Sequence, residues 1–302
     1  MAAKTYLAGL DIGTTGVKGM IADIEGNVIG LAYREYPCVY PFPGWVEQDV
    51  EYMWGKICEV CNEVIARTKV DPASIRSLGI SSQRGTFIPV DKHIKPLMNS
   101  IVWSDARADR EVKWIEKEIG ADTYHRITGV PISSMWSFPK MKWYIDNRKD
   151  LFEKTDKFLN GQEYFLYKLG AEDLSTDPAS ITLNGMMDID HLGWGRELCQ
   201  RIGLPMELLP EMGTPARQVG TVSKKASEET GLTAGMPIAI GAGDQQCAAI
   251  GAGITREGMA EITIGTAMVM VAHIDSRKAD PKRMVLIGGS GIPHKWDMEG
   301  LT

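Results

Sequence analysis

The first third of the chain changes its hydrophobic period twice. Residues 6–13, 17–23 and 27–36 are short apolar or alternating blocks separated by the turns Thr14-Thr15-Gly16 and Ile24-Glu25-Gly26-Asn27. Turns that short join neighbouring strands, so an antiparallel meander is predicted. A Pro- and aromatic-rich loop follows at 37–48, after which Met53, Ile57, Val60, Val64 and Ile65 recur at helical spacing and predict a helix over about 50–67. Strands are expected at 75–81, 87–90 and 101–104. Helices are expected at about 108–119, 137–147, 161–169 and 195–202, with Trp194 anchoring the loop before the last of them. A Ser/Thr/Asp-rich connection occupies 173–184 and prolines punctuate a linker around 205–215. Strands return at 220–222, 236–240, 259–265 and 267–273. No repeat of 20 to 50 residues and no low-complexity tract is present.

One junction organises the rest. Residues 237–253 read P-I-A-I-G-A-G-D-Q-Q-C-A-A-I-G-A-G, a strand, a glycine-freed turn and an Ala-rich helix, with Asp244 where strand becomes helix. Asp244 there can cap the helix that starts at Gln245. It can equally be a carboxylate at the mouth of a sheet, where ligands collect and a substrate hydroxyl could lose its proton. The two roles are compatible.

The first turn also has two readings. Thr14-Thr15-Gly16 is either a plain hairpin turn or a cradle whose N–H groups and hydroxyls hold phosphate oxygens, with Asp11 facing a hydrated cation and Lys18 adding charge. Its glycine, lysine and threonine spacing is not that of a P-loop. The polar run Ser82-Gln83-Arg84-Gly85-Thr86 lies between two apolar strands, as a binding loop or a surface turn would. Asp105 reads as a helix cap and Trp103 as core. Gly265-Thr266 repeats the Gly13-Thr14 pair between the last two strands, which points to two related half-folds facing one phosphate chain.

Composition narrows the partners. The chain has 302 residues, 44% hydrophobic and 24% charged, with a net charge of −6 and a pI near 5.5. Lacking a basic face, it is not expected to bind nucleic acid or acidic membrane, and a small molecule is the better partner. With no apolar run of membrane-spanning length and no signal-peptide pattern, a cytoplasmic protein is predicted. Five scattered cysteines fit reduced thiols. Cys58-x-x-Cys61 lies within a helical pattern without a second pair and reads as packing. A homodimer is compatible with the sequence.

Taken together the motifs resemble those of the FGGY carbohydrate kinases, within the actin-like ATPase superfamily. D-I-G-T-T at 11–15 is similar to the family's first phosphate motif and G-M-A-E-I-T-I-G-T at 258–266 to its second. G-A-G-D-Q-Q at 241–246 resembles the segment with the family's catalytic aspartate. Met135, Ser137, Lys140, Met141, Trp143, Asp146 and Asn147 follow the spacing of a family signature, with Tyr144 where an aliphatic residue is usual.

The resemblance implies an α/β protein: an actin-like (ribonuclease H-like) domain with a mixed sheet flanked by helices at 1–253, and the beginning of a second such domain at 254–302. It implies phosphorylation of a small sugar or polyol by ATP with Mg²⁺. Asp244 would be the general base. Asp11, with Asp244, would hold Mg²⁺ through water. Gly13, Thr14, Thr15, Lys18, Gly265 and Thr266 would bind phosphates, and Gln83, Arg84, Trp103 and Gln245 would line the sugar pocket. Glycerol kinases follow the Gln-Arg pair with a glutamate and xylulokinases place a Met-His pair after the Gln, where this chain has Arg84 and Gly85, and Met135 stands where glycerol kinases have a tyrosine. These departures make the pocket a hybrid and speak against glycerol; a pentulose such as xylulose is expected, with another ketose or polyol (glycerol, erythritol, ribulose) as an alternative. An actin-like ATPase without a sugar substrate is the alternative. The polar, Gly-rich stretch 276–302 is expected to build no domain, leaving 259–273 without a partner sheet and the chain by itself a poor kinase.

Overall fold

The structure is a computed structural model that describes residues 4–264, 268–278 and 280–301. The predicted meander is formed by strands Tyr6–Ile12, Gly16–Asp23 and Val28–Glu35, paired antiparallel. It makes up one side of a six-stranded sheet. Beyond Tyr6–Ile12 lies Ile75–Ser82 and then Pro237–Gly243, both parallel to it, with Gln218–Thr221 antiparallel at the edge. The sheet is therefore mixed.

Helix Val50–Thr68 packs along it. Its start is fixed by Asp49, whose carboxylate accepts the N–H groups of Glu51 and Tyr52, and its end by Lys69 in the left-handed conformation. Val50, Met53, Trp54, Ile57, Val60, Cys61 and Val64 lie on the buried stripe, against Leu10, Val17, Ile21, Leu78 and Ile238 of the sheet. Cys61 fills core space and all five cysteines are free thiols. A second apolar cluster, built around Phe87, Tyr124, Phe138, Tyr144 and Phe158, joins helices Asp109–Glu118, Ala121–Thr128 and Ser137–Asn147.

Two expectations need correction. Ser100–Ile101 is all that forms of the strand expected at 101–104, because the chain turns at Trp103 and Ser104. The stretch 276–302 builds more than foreseen: strands Leu286–Gly289 and Trp296–Leu301 join Ala260–Ile264 and Met268–Ile274 in a four-stranded antiparallel sheet. Residues 259–273 thus do have partner strands. The alternation of Trp296-Asp297-Met298-Glu299 is inverted from the usual pattern, with the two acids buried. Asp297 meets His273, 3.1 Å from its Nδ1, and Glu299 meets Arg84. Partners so distant in sequence make an inward-facing acid look like a surface residue. Gly265 and Thr266 lie outside the described residues.

Candidate active site

Register explains why the site residues converge. Ile12, Ser82 and Gly243 are aligned across the three parallel strands, so the segments starting at Gly13, Gln83 and Asp244 leave the sheet side by side at its carboxyl edge. That edge is where open α/β sheets bind ligands.

Asp244 is the first residue of helix Asp244–Gly251, so the cap position falls to Gly243 and not to Asp244 as expected. The carboxylate nevertheless accepts the N–H of Gln245 at 2.9 Å. Its side chain is 36% exposed, and Arg84 Nε lies 3.4 Å from Oδ1. Burial in the cleft lifts its pKa above the ordinary carboxylate value; Arg84 opposes this, and the charges of Glu299 and Asp11 add to it. Gly243 can only be glycine here, since a Cβ would come within 2.2 Å of Arg84 Cδ.

Arg84 is buried. Its Nη1 and Nη2 donate to Glu299 Oε1 and Oε2, each at 2.7 Å, and Gln246 Nε2 donates to Glu299 Oε1 at 2.7 Å. Burial would raise the Glu299 pKa, but Arg84 and Gln246 together hold it below the usual carboxylate range. Gly85, with φ of +67°, supplies the left-handed turn after Arg84.

Thr14, Gln83 and Trp103 form one network. The Thr14 hydroxyl donates to Gln83 Oε1 at 2.9 Å and accepts from Trp103 Nε1 at 2.8 Å. Gln48 completes it: Gln83 Nε2 donates to its Oε1 at 2.8 Å, while its own Nε2 donates to the Thr14 carbonyl at 2.6 Å. The hydroxyl of Thr14 is thus engaged in holding Trp103 and Gln83, and among the described residues the N–H groups of Thr14 and Thr15 donate to nothing. Asp11 accepts from Ser81 Oγ at 2.9 Å and lies directly opposite Lys18, which is exposed.

Behind the site Lys140, fully buried, donates to the carbonyls of Val102, Trp103 and Met135 at 2.9, 2.7 and 3.0 Å. Burial pulls its pKa down to about 7. Lys140, Gln48 and Glu299 are structural members of the site that sequence reasoning gave no role; only Lys140 carried a local signal, its place in the signature spacing.

Gln83, Arg84, Trp103, Asp244, Gln245 and Glu299 wall a cavity of about 180 Å³ closed by apolar side chains including Met135, Trp136 and Val269. This is small against the roughly 300–1,000 Å³ of drug-sized pockets. Polar groups on one side and an apolar wall on the other suit a short polyhydroxylated carbon chain.

The fold and this edge define an actin-like ATPase fold. Within that class the chain belongs to the FGGY family of carbohydrate kinases, whose N-terminal domain matches residues 6–251. It is 35% identical over 274 residues to a glycerol kinase of Thermococcus gammatolerans, covering 89% of this chain and 54% of that protein. Among solved structures, a gluconate kinase from Lactobacillus acidophilus superposes with a TM-score of 0.92 at 24% identity, covering 99% of this chain and 60% of that one. A xylulose kinase from the same organism gives 0.91 at 24% identity, covering 98% and 60%. The chain spans about half the length of the curated relatives it matches. Among the described residues no helix is long and apolar enough to cross a membrane.

Proposed function

We propose that this chain is the acceptor-binding, base-bearing part of a kinase that transfers the γ-phosphoryl group of ATP to a hydroxyl of a small neutral sugar or polyol. The observation that carries the reading is Asp244, set at the carboxyl end of a central parallel strand in the wall of a small polar-and-apolar cavity. Asp244 accepts the proton of the attacking hydroxyl while its oxygen bonds to the γ-phosphorus and the bond to the bridging oxygen of ADP breaks. Gln83, Gln245 and Arg84 face the acceptor's hydroxyls and Trp103 its carbons.

Phosphate binding falls to the turn at Gly13, through the unengaged N–H groups of Thr14 and Thr15, with Lys18 contributing charge, and to Gly265 and Thr266 by their sequence motif alone. Asp11 and Asp244 would hold Mg²⁺ through water. They fit: both carboxylates lie at the carboxyl ends of the two strands that flank Ile75–Ser82, and Asp11 is near enough for its charge to raise the Asp244 pKa. A hydrated ion on few protein oxygens is how Mg²⁺ is usually held. When bound, it supplies neutralising charge to the phosphates.

The acceptor is a pentulose such as xylulose or glycerol itself. Relatives named glycerol kinase and a structural neighbour named xylulose kinase support both, while Gly85 and Met135 depart from the glycerol-kinase pattern and Arg84-Gly85 from the xylulokinase one. Residues 1–253 then form the sugar-binding domain and 254–302 the start of the nucleotide-binding one.

ADP release measured with and without these acceptors tests the reading. Turnover should require the acceptor, and Asp244→Asn should lower it about 10²–10⁴-fold with acceptor binding retained. Hydrolysis of ATP indifferent to every sugar would instead mark an actin-like ATPase without a sugar substrate.

A further inference from the structure

Several polar groups of the cavity wall are already engaged. Each of the three Arg84 guanidinium nitrogens already faces a carboxylate, two on Glu299 and one on Asp244. Trp103 Nε1 is taken by Thr14, Gln83 Nε2 by Gln48 and Trp136 Nε1 by the Pro131 carbonyl. By contrast Gln245 Oε1 is buried with no partner among the described residues. Glu299 Oε2 receives one hydrogen bond, from Arg84, whereas Oε1 receives two. A carboxylate oxygen has room for about two donors.

From the unfilled oxygen of this wall carboxylate we infer that Glu299 is a specificity-determining residue: its Oε2 accepts a hydroxyl of the substrate, and its charge rejects acidic sugars, aldonates and glycerate included. The inference rests on the acceptor-site reading above. Two carboxylates, Asp244 and Glu299, flank a single guanidinium, and among the described residues no second cationic side chain lines the cavity to receive a ligand carboxylate. A neutral polyol brings donors to unfilled acceptors. An acid of the same length sets its carboxylate against them, and like charges brought together in a dry site are strongly disfavoured. The buried Glu299 stays ionised in this setting because Arg84 and Gln246 outweigh its burial.

Calorimetric titration of the 302-residue chain with the pairs glycerol and glycerate, xylulose and xylonate, and glucitol and gluconate separates charge from size. The neutral member of a binding pair should be preferred by about tenfold or more, and Glu299→Gln should narrow that gap to within about threefold. Equal binding of neutral and acid members by the unmodified chain overturns the inference, whether or not the variant folds, and leaves the kinase reading standing. Undiminished discrimination in a Glu299→Gln protein with native circular dichroism overturns it as well. Failure of all six compounds to bind removes the acceptor site itself and the inference with it.

Discussion

Thr14 shows how one hydroxyl can order a site. It joins Gln83 to Trp103, and through Gln83 both are tied to Gln48. Replacing it by valine keeps the shape but leaves Gln83 Oε1 and Trp103 Nε1 without their partner. Each such buried group costs about 1–3 kcal/mol. Thr14→Val is therefore expected to lower the free energy of unfolding by that order and to weaken polyol binding, both read by urea titration with and without ligand. An unchanged midpoint would show that Trp103 is held by packing alone. The places of Asp244, Gln83, Arg84 and Gln245 in the cavity wall were legible at this scale because each sits in a short local motif, while Trp103, which by itself reads as core, was legible only through the family resemblance. Gln48 and Glu299 were not, since their partners lie 35 and 215 residues away.

At the scale of elements, helix Gly161–Leu169 holds in place the strand Pro237–Gly243 that leads to Asp244. Gln162 donates to Asp177 at 2.8 Å and accepts the N–H of Gly241 at 2.8 Å. The helix begins with a capping box, in which Glu163 accepts the Asn160 N–H at 2.5 Å. Burial pushes the Glu163 carboxyl up to about 7. Its folded pKa being raised, the folded state takes up a proton between about pH 4.5 and 7, so its contribution is most favourable below that window and is lost as pH rises through it. Glu163→Gln keeps the backbone acceptor and should remove this slope, giving a chain at least as stable at pH 8. A Glu163→Gln protein with the same pH profile as its parent would contradict the assignment. This helix and Ser137–Asn147 have the bounds their sequence pattern predicts. The connection at 173–184 hid a short helix, Pro178–Ile181, because its start depends on Asp177 accepting the Ser180 N–H, a cap that also reads as loop composition.

For the whole molecule, the decisive contact is between sheets. Arg84 leaves the edge of the six-stranded sheet and Glu299 belongs to the four-stranded one, so their paired hydrogen bonds tie the two across the cavity. Removing one partner of a buried ion pair strands the other charge, at a cost of about 3–5 kcal/mol. Arg84→Met should show a loss of that size in urea unfolding. A loss under about 1 kcal/mol would mean that the apolar contacts of Ile274 and Ile287 with Ile181 of helix Pro178–Ile181 suffice to hold the four-stranded sheet in place. The meander of the six-stranded sheet was legible because its turns are short, whereas the parallel pairing of Ile75–Ser82 and Pro237–Gly243 was not legible in the residue pattern because long connections separate those strands. The second sheet was not, because its interior carries acids whose compensating charges come from elsewhere in the fold.

The central claim is that this chain carries a site for a small neutral polyol, and a ligand that binds the folded state alone stabilises it by RT ln(1 + [L]/Kd), about 2.7 kcal/mol at a hundredfold excess over Kd. Thermal melting of the chain with xylulose, ribulose, erythritol and glycerol is the direct measurement. At least one compound should raise Tm, and Trp103→Ala should abolish the rise. A melt indifferent to all four would contradict the claim.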